Sequence, residues 1–338
     1  SAYMFRQGVK REELGVIISH LDSSEKVAVY VVDDQKKIMS VDYKINFENV
    51  KFENILAKIE DKSSTEKLFK STQGIVENPS VLNKKNIASV AATGVDVTEY
   101  NIGDEVFVIN KRNIDMLNLN DKEKSFLREY HEPNEVNRYV CNSTFKNYLL
   151  YICRDNMDDI SKYPNIEKHL SKYRPFMEMR RETQKGSNQW FHLHWPRKEE
   201  LFNGEKIVYP QMCAKPTFAY SLQPFYTNMS ANIIYGVQNI NLKVLTCILN
   251  SELAHFWLLH PAKNRGIGLD IAVSVIDKFP VNKDILSCER LAVLAEEVII
   301  KAADKTDYSD LDLEISDVVY DLYGISNQER ESIKQYIQ

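Results

Sequence analysis

Residues 310–338 read DLDLEISDVVYDLYGISNQERESIKQYIQ. Val318, Val319, Leu322 and Tyr323 recur at helical spacing. Gly324 stands where a helix C-cap belongs, and Ser326 is followed three residues later by Glu329, the pattern of a capping box. The stretch therefore predicts two helices joined by a tight turn. Alone it reads equally well as a terminal hairpin packed on a core, so its meaning depends on what precedes it.

The 338 residues have room for two domains or one large one. A hydrophobic content of 43% and a charged content of 27% are those of an ordinary soluble globular chain. No apolar run reaches the roughly 18 residues that span a bilayer, and no basic segment followed by an apolar one opens the chain. The expectation is a cytoplasmic protein with no membrane partner. Ser1-Ala2-Tyr3-Met4 does not start with methionine, which suggests a trimmed chain. Five cysteines (Cys141, Cys153, Cys213, Cys247 and Cys288) are odd in number and form no CxxC. They predict reduced, mostly buried thiols rather than disulfides or a zinc site.

The net charge of −5 does not announce a nucleic-acid binder, but its distribution is uneven. Residues 161–220 carry eleven Lys/Arg against six acids, a local net of +5, and residues 284–338 carry five against thirteen, a local net of −8. A basic middle beside an acidic tail is a local field of the kind that steers polyanions. The plainer alternative is a solvated helix face.

Leu14–Ser19 and Lys26–Val32 are two β-branched apolar runs that read as a hairpin, too little to fold alone. Residues 51–69 read as a helix with a polar linker at Asp61–Thr65. Ser71–Val76 opens a β-rich region in which Gly74 permits a tight bend or a close approach to a ligand. Strands are expected at Glu105–Ile109, Tyr148–Ile152, Lys206–Pro210, Thr217–Tyr220, Phe225–Tyr226 and Asn232–Tyr235. Helices are expected from Leu117 through Leu127 and from Pro164 to Arg174, the latter interrupted by Pro175. A strong amphipathic helix is expected over Leu242, Leu245, Leu249, Leu253 and Phe256, and a long one from about Asp284.

No catalytic motif is visible. GxGxxG and GxxxxGK(S/T) are absent. Glu77-Asn78-Pro79-Ser80 approaches an Asn-Pro-Pro-aromatic motif but lacks the second proline and the aromatic. His192-x-His194, between Trp190 and Trp195, is better read as packing or partner contact than as a metal pair. Glu178 and Glu182 beside Arg180 and Arg181 are more simply i,i+4 ion-pair partners than a nuclease site.

The order of features from residue 73 onward carries a resemblance. It comprises Gln73-Gly74-Ile75-Val76, GDEVFVI at 103–109, LSKYR at 170–174, Trp190, KIVYP at 206–210, LNSEL at 249–253, Gly266-x-Gly268 and KFPV at 278–281. This order resembles the TaqI-like C-terminal specificity domain. The tail ISDVVYDLYGIS at 315–326 is similar to the closing signature of restriction–modification adenine methyltransferases that end in this module. The resemblance implies an α+β fold: a twisted mixed β-sheet recognition domain with flanking helices and a C-terminal helical segment. It implies residues 1–65 as a remnant of the preceding methyltransferase domain and connector, 66–283 as the recognition domain, and 284–338 as the helical segment.

It further implies sequence-specific reading of double-stranded DNA, with the methyltransferase domain of the same parent polypeptide as partner. No cofactor is expected in this chain. S-adenosylmethionine, and Mg2+ as an option, belong to the parent, which would methylate adenine N6 and could be fused to an endonuclease. Bidentate Arg, Asn and Gln suit base edges, and Lys and Arg suit phosphates. Two clusters fit: Arg180, Arg181, Lys185, Asn188, Gln189 and Trp190, and then Lys263, Asn264, Arg265, Gly266 and Gly268. Gln73, Lys172, Arg174, Arg197 and Lys215 complete the expected DNA-contacting set; no catalytic or metal residue is expected. The competing reading is a protein–protein assembly module using the acidic C-terminal helices.

Overall fold

The computed structural model describes residues 16–17, 26–32, 38–44, 47–265 and 268–337. The chain divides into two compact units, 1–60 and 61–338. In the first, β1 (Val16–Ile17), β2 (Lys26–Val32) and β3 (Ile38–Lys44) form an antiparallel sheet followed by helix α1 (Phe47–Glu60). The expected hairpin is the pairing of β1 with β2; the rest of its first run lies outside the described residues. β3 escaped the sequence reading although Met39, Val41 and Tyr43 alternate with polar residues in the strand period. The helix expected at 51–69 is α1, which starts earlier and stops at Glu60, and Phe69 belongs to a strand.

The strands of the second unit are β4 (Phe69–Gln73), β5 (Val108–Asn110), β6 (Leu127–His131), β7 (Tyr139–Val140), β8 (Asn147–Leu150), β9 (Lys206–Pro210), β10 (Met212–Cys213), β11 (Ala219–Ser221), β12 (Tyr226–Thr227), β13 (Ala231–Gly236), β14 (Lys263–Arg265) and β15 (Gly268–Asp270). They form a five-stranded sheet β4-β13-β9-β11-β7, a four-stranded sheet β12-β6-β8-β5 and a three-stranded sheet β10-β15-β14. β11–β7 and β12–β6 are parallel and the other pairs antiparallel, so the architecture is mixed α+β, as expected.

Its short helices are α2 (Lys84–Ala91), α3 (Asp121–Lys124), α4 (Pro164–Ser171), α5 (Arg174–Glu178), α6 (Arg181–Gln184) and α7 (Glu200–Asn203). The helix expected from Leu117 to Leu127 shrinks to one turn, α3. Glu123 there is diverted to accept from the backbone N–H groups of Asn165 and Ile166 at the start of α4, and Leu127 begins β6.

The helical layer comprises α8 (Leu242–Asn250), α9 (Glu252–Leu258), α10 (Val273–Ile276), α11 (Lys283–Leu286), α12 (Glu289–Ala303), α13 (Ser309–Leu322) and α14 (Asn327–Ile337). The single amphipathic helix expected over 242–256 is two helices. Ser251 at φ −68, ψ 161 ends α8 and caps α9, accepting from the Ala254 N–H and donating to the Ile248 carbonyl. α8 is buried all round because it lies between the five-stranded sheet and α12–α13. Asn250 at its end behaves as a short strand, its side chain donating to the Phe218 carbonyl and accepting from the Phe218 N–H.

The tail forms as its sequence predicts. Gly324 at φ +68 follows α13, with its N–H on the Asp321 carbonyl and the Ile325 N–H on the Tyr320 carbonyl. This is a Schellman closure, and Ile325 and Tyr320 are both buried against it. Ser326 and Glu329 exchange the two capping-box hydrogen bonds. At the β7 edge, Arg138 and the Tyr139 hydroxyl both bond Asp312 of α13, and Tyr139 is held at φ +73. All five cysteines are free, but only Cys153 and Cys247 are buried; Cys141, Cys213 and Cys288 are half-buried, against the expectation of mostly buried thiols.

Candidate nucleic-acid interface

The registers of the five-stranded sheet bring several loops to one end. Gln73 at the close of β4 pairs with Asn232, Ala231 with Pro210, and Val208 with Ala219. The turn before β13, the 210–218 connection and the residues following Gln73 therefore meet there. The hairpin β14–β15 is stapled to the same end. β15 pairs with β10, the Ile271 N–H donates to the Gln211 carbonyl (2.7 Å), and the Gln211 N–H donates to the Ser230 carbonyl (2.9 Å). Gln73, Lys215, Lys263 and Gly268 are thus gathered, with Lys215 and Lys263 exposed. The side chains of Asn264 and Arg265, and Gly266 entirely, lie outside the described residues.

The two glycines read as ligand approaches serve the chain itself. A Cβ at Gly74 would lie 2.1 Å from the Asn228 carbonyl oxygen, and one at Gly268 2.7 Å from that of Cys213. Each lets two backbone segments pack; neither is held open for a ligand.

Arg197 joins this end through its Nε, which donates to the Gly74 carbonyl (3.3 Å). Its backbone has φ +62, a conformation rarely adopted by L side chains. The Tyr151 hydroxyl donates to its carbonyl, and its guanidinium lies 5.7 Å from the Trp195 ring centre. Trp195 is bonded in both directions to Val76, and His194 beside it contacts Glu182 (Nε2 to Oε2, 3.2 Å). Burial lowers the pKa of His194, so the ring is neutral at pH 7. The buried His194 Nδ1 and Thr183 Oγ1 have no hydrogen-bond partner.

Arg180 does not belong among the DNA contacts. It is 5% exposed and wholly engaged by main-chain carbonyls. Nε donates to Met177 (2.9 Å), Nη1 to His192 (2.8 Å) and Asn78 (3.4 Å), and Nη2 to Trp190 (2.6 Å). Burial pulls its pKa down to about 10. It is an internal cross-link of the loop. Arg181, the next residue, is 73% exposed at its side chain and lies 3.2 Å from Glu182. Lys185 and Gln189 are exposed, whereas Asn188 spends its amide on the Leu193 and His194 carbonyls.

Arg174 and Trp190 form a separate pair, 5.1 Å from guanidinium to ring centre, with Arg174 also bonded to Glu178 (2.7 Å). Trp190 is half-buried against the core of the four-stranded sheet. Lys172 is exposed and its carbonyl accepts from the Tyr100 hydroxyl. His192 is a packing residue: Nε2 donates to the Met157 carbonyl and Nδ1 accepts from the Gln189 N–H.

Behind this face Glu77 is buried and accepts from the Tyr130 hydroxyl at 2.6 Å. Burial pushes its carboxyl up to about 7. Three exposed apolar side chains at this end were not among the expected contacts, Trp195 (43%), Met229 (45%) and Met212 (48%). The only sequence signal of the first two was position: Trp195 precedes Pro-Arg-Lys, and Met229 sits in an Asn-Met-Ser turn.

The family description "TaqI-like C-terminal specificity domain" matches residues 129–281. No curated protein matches. Among solved structures, the type IIG restriction endonuclease BpuSI aligns with 85% of this chain at 14% identity and a TM-score of 0.43. This chain covers 36% of the length of that one. The span 129–281, which is similar to the TaqI-like C-terminal specificity domain, holds Arg180 and the β14–β15 hairpin, while Gln73 and the 74–76 segment lie before it.

Proposed function

We propose that this chain reads double-stranded DNA as the target-recognition part of a restriction–modification enzyme whose methyltransferase domain, in the same polypeptide, modifies adenine N6. The observation that carries the reading is the specificity-domain match over 129–281, the same residues that hold Arg181, Lys185, Arg197, Lys215 and Lys263. Exposed cations on loops held by a rigid sheet suit phosphate contact, which positions a protein on the duplex before bases are read.

The residues proposed to touch DNA are Gln73, Arg181, Lys185, Gln189, Arg197, Lys215 and Lys263 around the sheet end, with Lys172 and Arg174 flanking. Methyl transfer and S-adenosylmethionine belong to the parent domain. Calorimetry of this chain with that cofactor should show no saturable micromolar binding.

Assembly through the C-terminal helices is less well supported. α12 exposes Val293 and Ile300 two turns apart, but exposed Glu296 and Glu297 lie on the same face between them.

The test is duplex binding against salt. Each neutralised phosphate contributes a slope of about −0.9 in log K against log salt. Arg181→Ala, Lys185→Ala and Lys215→Ala should each flatten the slope by about that amount. No duplex binding at low salt, or a slope indifferent to all three, would end the DNA reading.

A further inference from the structure

Between the cations of the sheet end lies an apolar pair. The segment 74–76 is flanked on both sides: Ile75 bridges Asn228, and Val76 bridges Trp195. Side chains alternate along such a strip. Ile75 and Glu77 are buried, so Val76 and its partner Trp195 take the outer face, where Trp195 stays 43% exposed. Asn228 turns inward to Glu132 (Nδ2 to Oε2, 3.3 Å), and Met229 after it is 45% exposed at the turn into β13. Two large apolar side chains therefore project from the two backbones that flank the 74–76 segment, with Val76 between them.

Their surroundings are not those of a protein-docking surface. Of the five Arg/Lys in residues 180–198, Arg180 is interior, but Arg181, Lys185 and Lys198 are exposed and Arg197 is half-buried; the one acid in the stretch, Glu182, is paired with Arg181. Trp195 and Met229, with Met212 nearby, make a smaller surface than the apolar patches that bind protein partners. The charge complements a polyanion. Arg197 keeps an unfavourable φ of +62 to place its guanidinium against Trp195 and its Nε on Gly74. Such strain persists where the surroundings enforce it, and it clusters at ligand-binding positions.

We propose that Trp195 and Met229 form an apolar wedge that enters between adjacent base pairs of bound duplex DNA, partly unstacking one step and bending the helix. This deepens the DNA reading above and rests on it. Cations on either side hold the phosphates while the wedge takes the opened step, as apolar side chains do in proteins that kink DNA. Flexible pyrimidine–purine steps open at least cost, so the wedge would select sequence at a position where no base edge is read.

The test uses the 338-residue chain and a duplex enriched from a randomised library, with 2-aminopurine placed at each position in turn. Binding should brighten the probe several-fold at one step and shorten the end-to-end distance seen by energy transfer. Trp195→Ala should abolish the brightening and weaken binding on the order of tenfold. Met229→Ala should diminish the brightening, and Trp195→Phe should retain part of it. Met229→Ala decides the matter if Trp195→Ala fails to fold. Saturated binding of the unaltered chain with no step brightened overturns the wedge and leaves the DNA reading standing. Absence of any duplex binding overturns both.

Discussion

The helix pair at 309–337 and the loop region at 174–198 are both held by hydrogen bonds, but over different distances. In the helix pair the partners are neighbours in sequence: Gly324 with Asp321, Ile325 with Tyr320, Ser326 with Glu329. In the loop region one side chain, Arg180, ties together the carbonyls of residues 78, 177, 190 and 192. The first region is an assembly of small, separable terms. The second is a single point of failure, and two of the four carbonyls it satisfies, those of Met177 and His192, are interior.

The contrast can be broken most sharply at Arg180. Replacing it by Ala takes the side-chain donor from the buried His192 carbonyl and from the part-buried Asn78 and Trp190 carbonyls, and a loss of about 3 kcal/mol is expected from urea unfolding. Lys should not rescue it, since an ammonium cannot span the same four acceptors. A loss under 1 kcal/mol would mean that the loop is held by something else.

Glu77, behind the same loops, gives the next effect. Its native pKa of about 7 lies above the ordinary 4.5, so the folded chain holds the proton more tightly than the unfolded one. Its contribution is complete below pH 4.5 and is lost as pH rises through 7, by up to about 3 kcal/mol. Glu77→Gln should remove that part of the pH dependence. Unfolding midpoints of both proteins at pH 5, 7 and 8.5 check it; parallel profiles would refute it.

The tail should yield only small losses. A Cβ at Gly324 meets nothing within 4 Å, so Gly324→Ala costs conformational strain alone, about 1 kcal/mol. Ser326→Ala should cost about 0.5–1 kcal/mol, and the two together should stay below the cost of Arg180→Ala. Thermal unfolding of the double variant tests the ordering.

The same difference of range explains what the sequence disclosed. KIVYP at 206–210 is read as a strand and is one, because its β-branched run and its burial agree. The tail's caps are written in adjacent residues. Ser251 was overlooked because the apolar spacing continues unbroken from Leu249 to Leu253 across it. Gly74 was read correctly as a place of close approach, but its neighbour is the backbone at 227–228, which only the closed fold brings near. Arg180 and Arg181 are indistinguishable as letters; one is interior and the other exposed because of where residues 78 and 190–192 arrive. The exposed pair Trp195 and Met229 comes from two segments 34 residues apart, joined only through the strip at 74–76.

The bonds from Arg138 and Tyr139 to Asp312 have a consequence for handling the protein. β7 is the last strand of the five-stranded sheet, and α12 and α13 lie against it. An uncovered outer strand is a template for intermolecular pairing. A chain shortened before Glu289, losing both helices, would bare that strand, and its expected fate is self-association into aggregates rather than a merely weaker monomer.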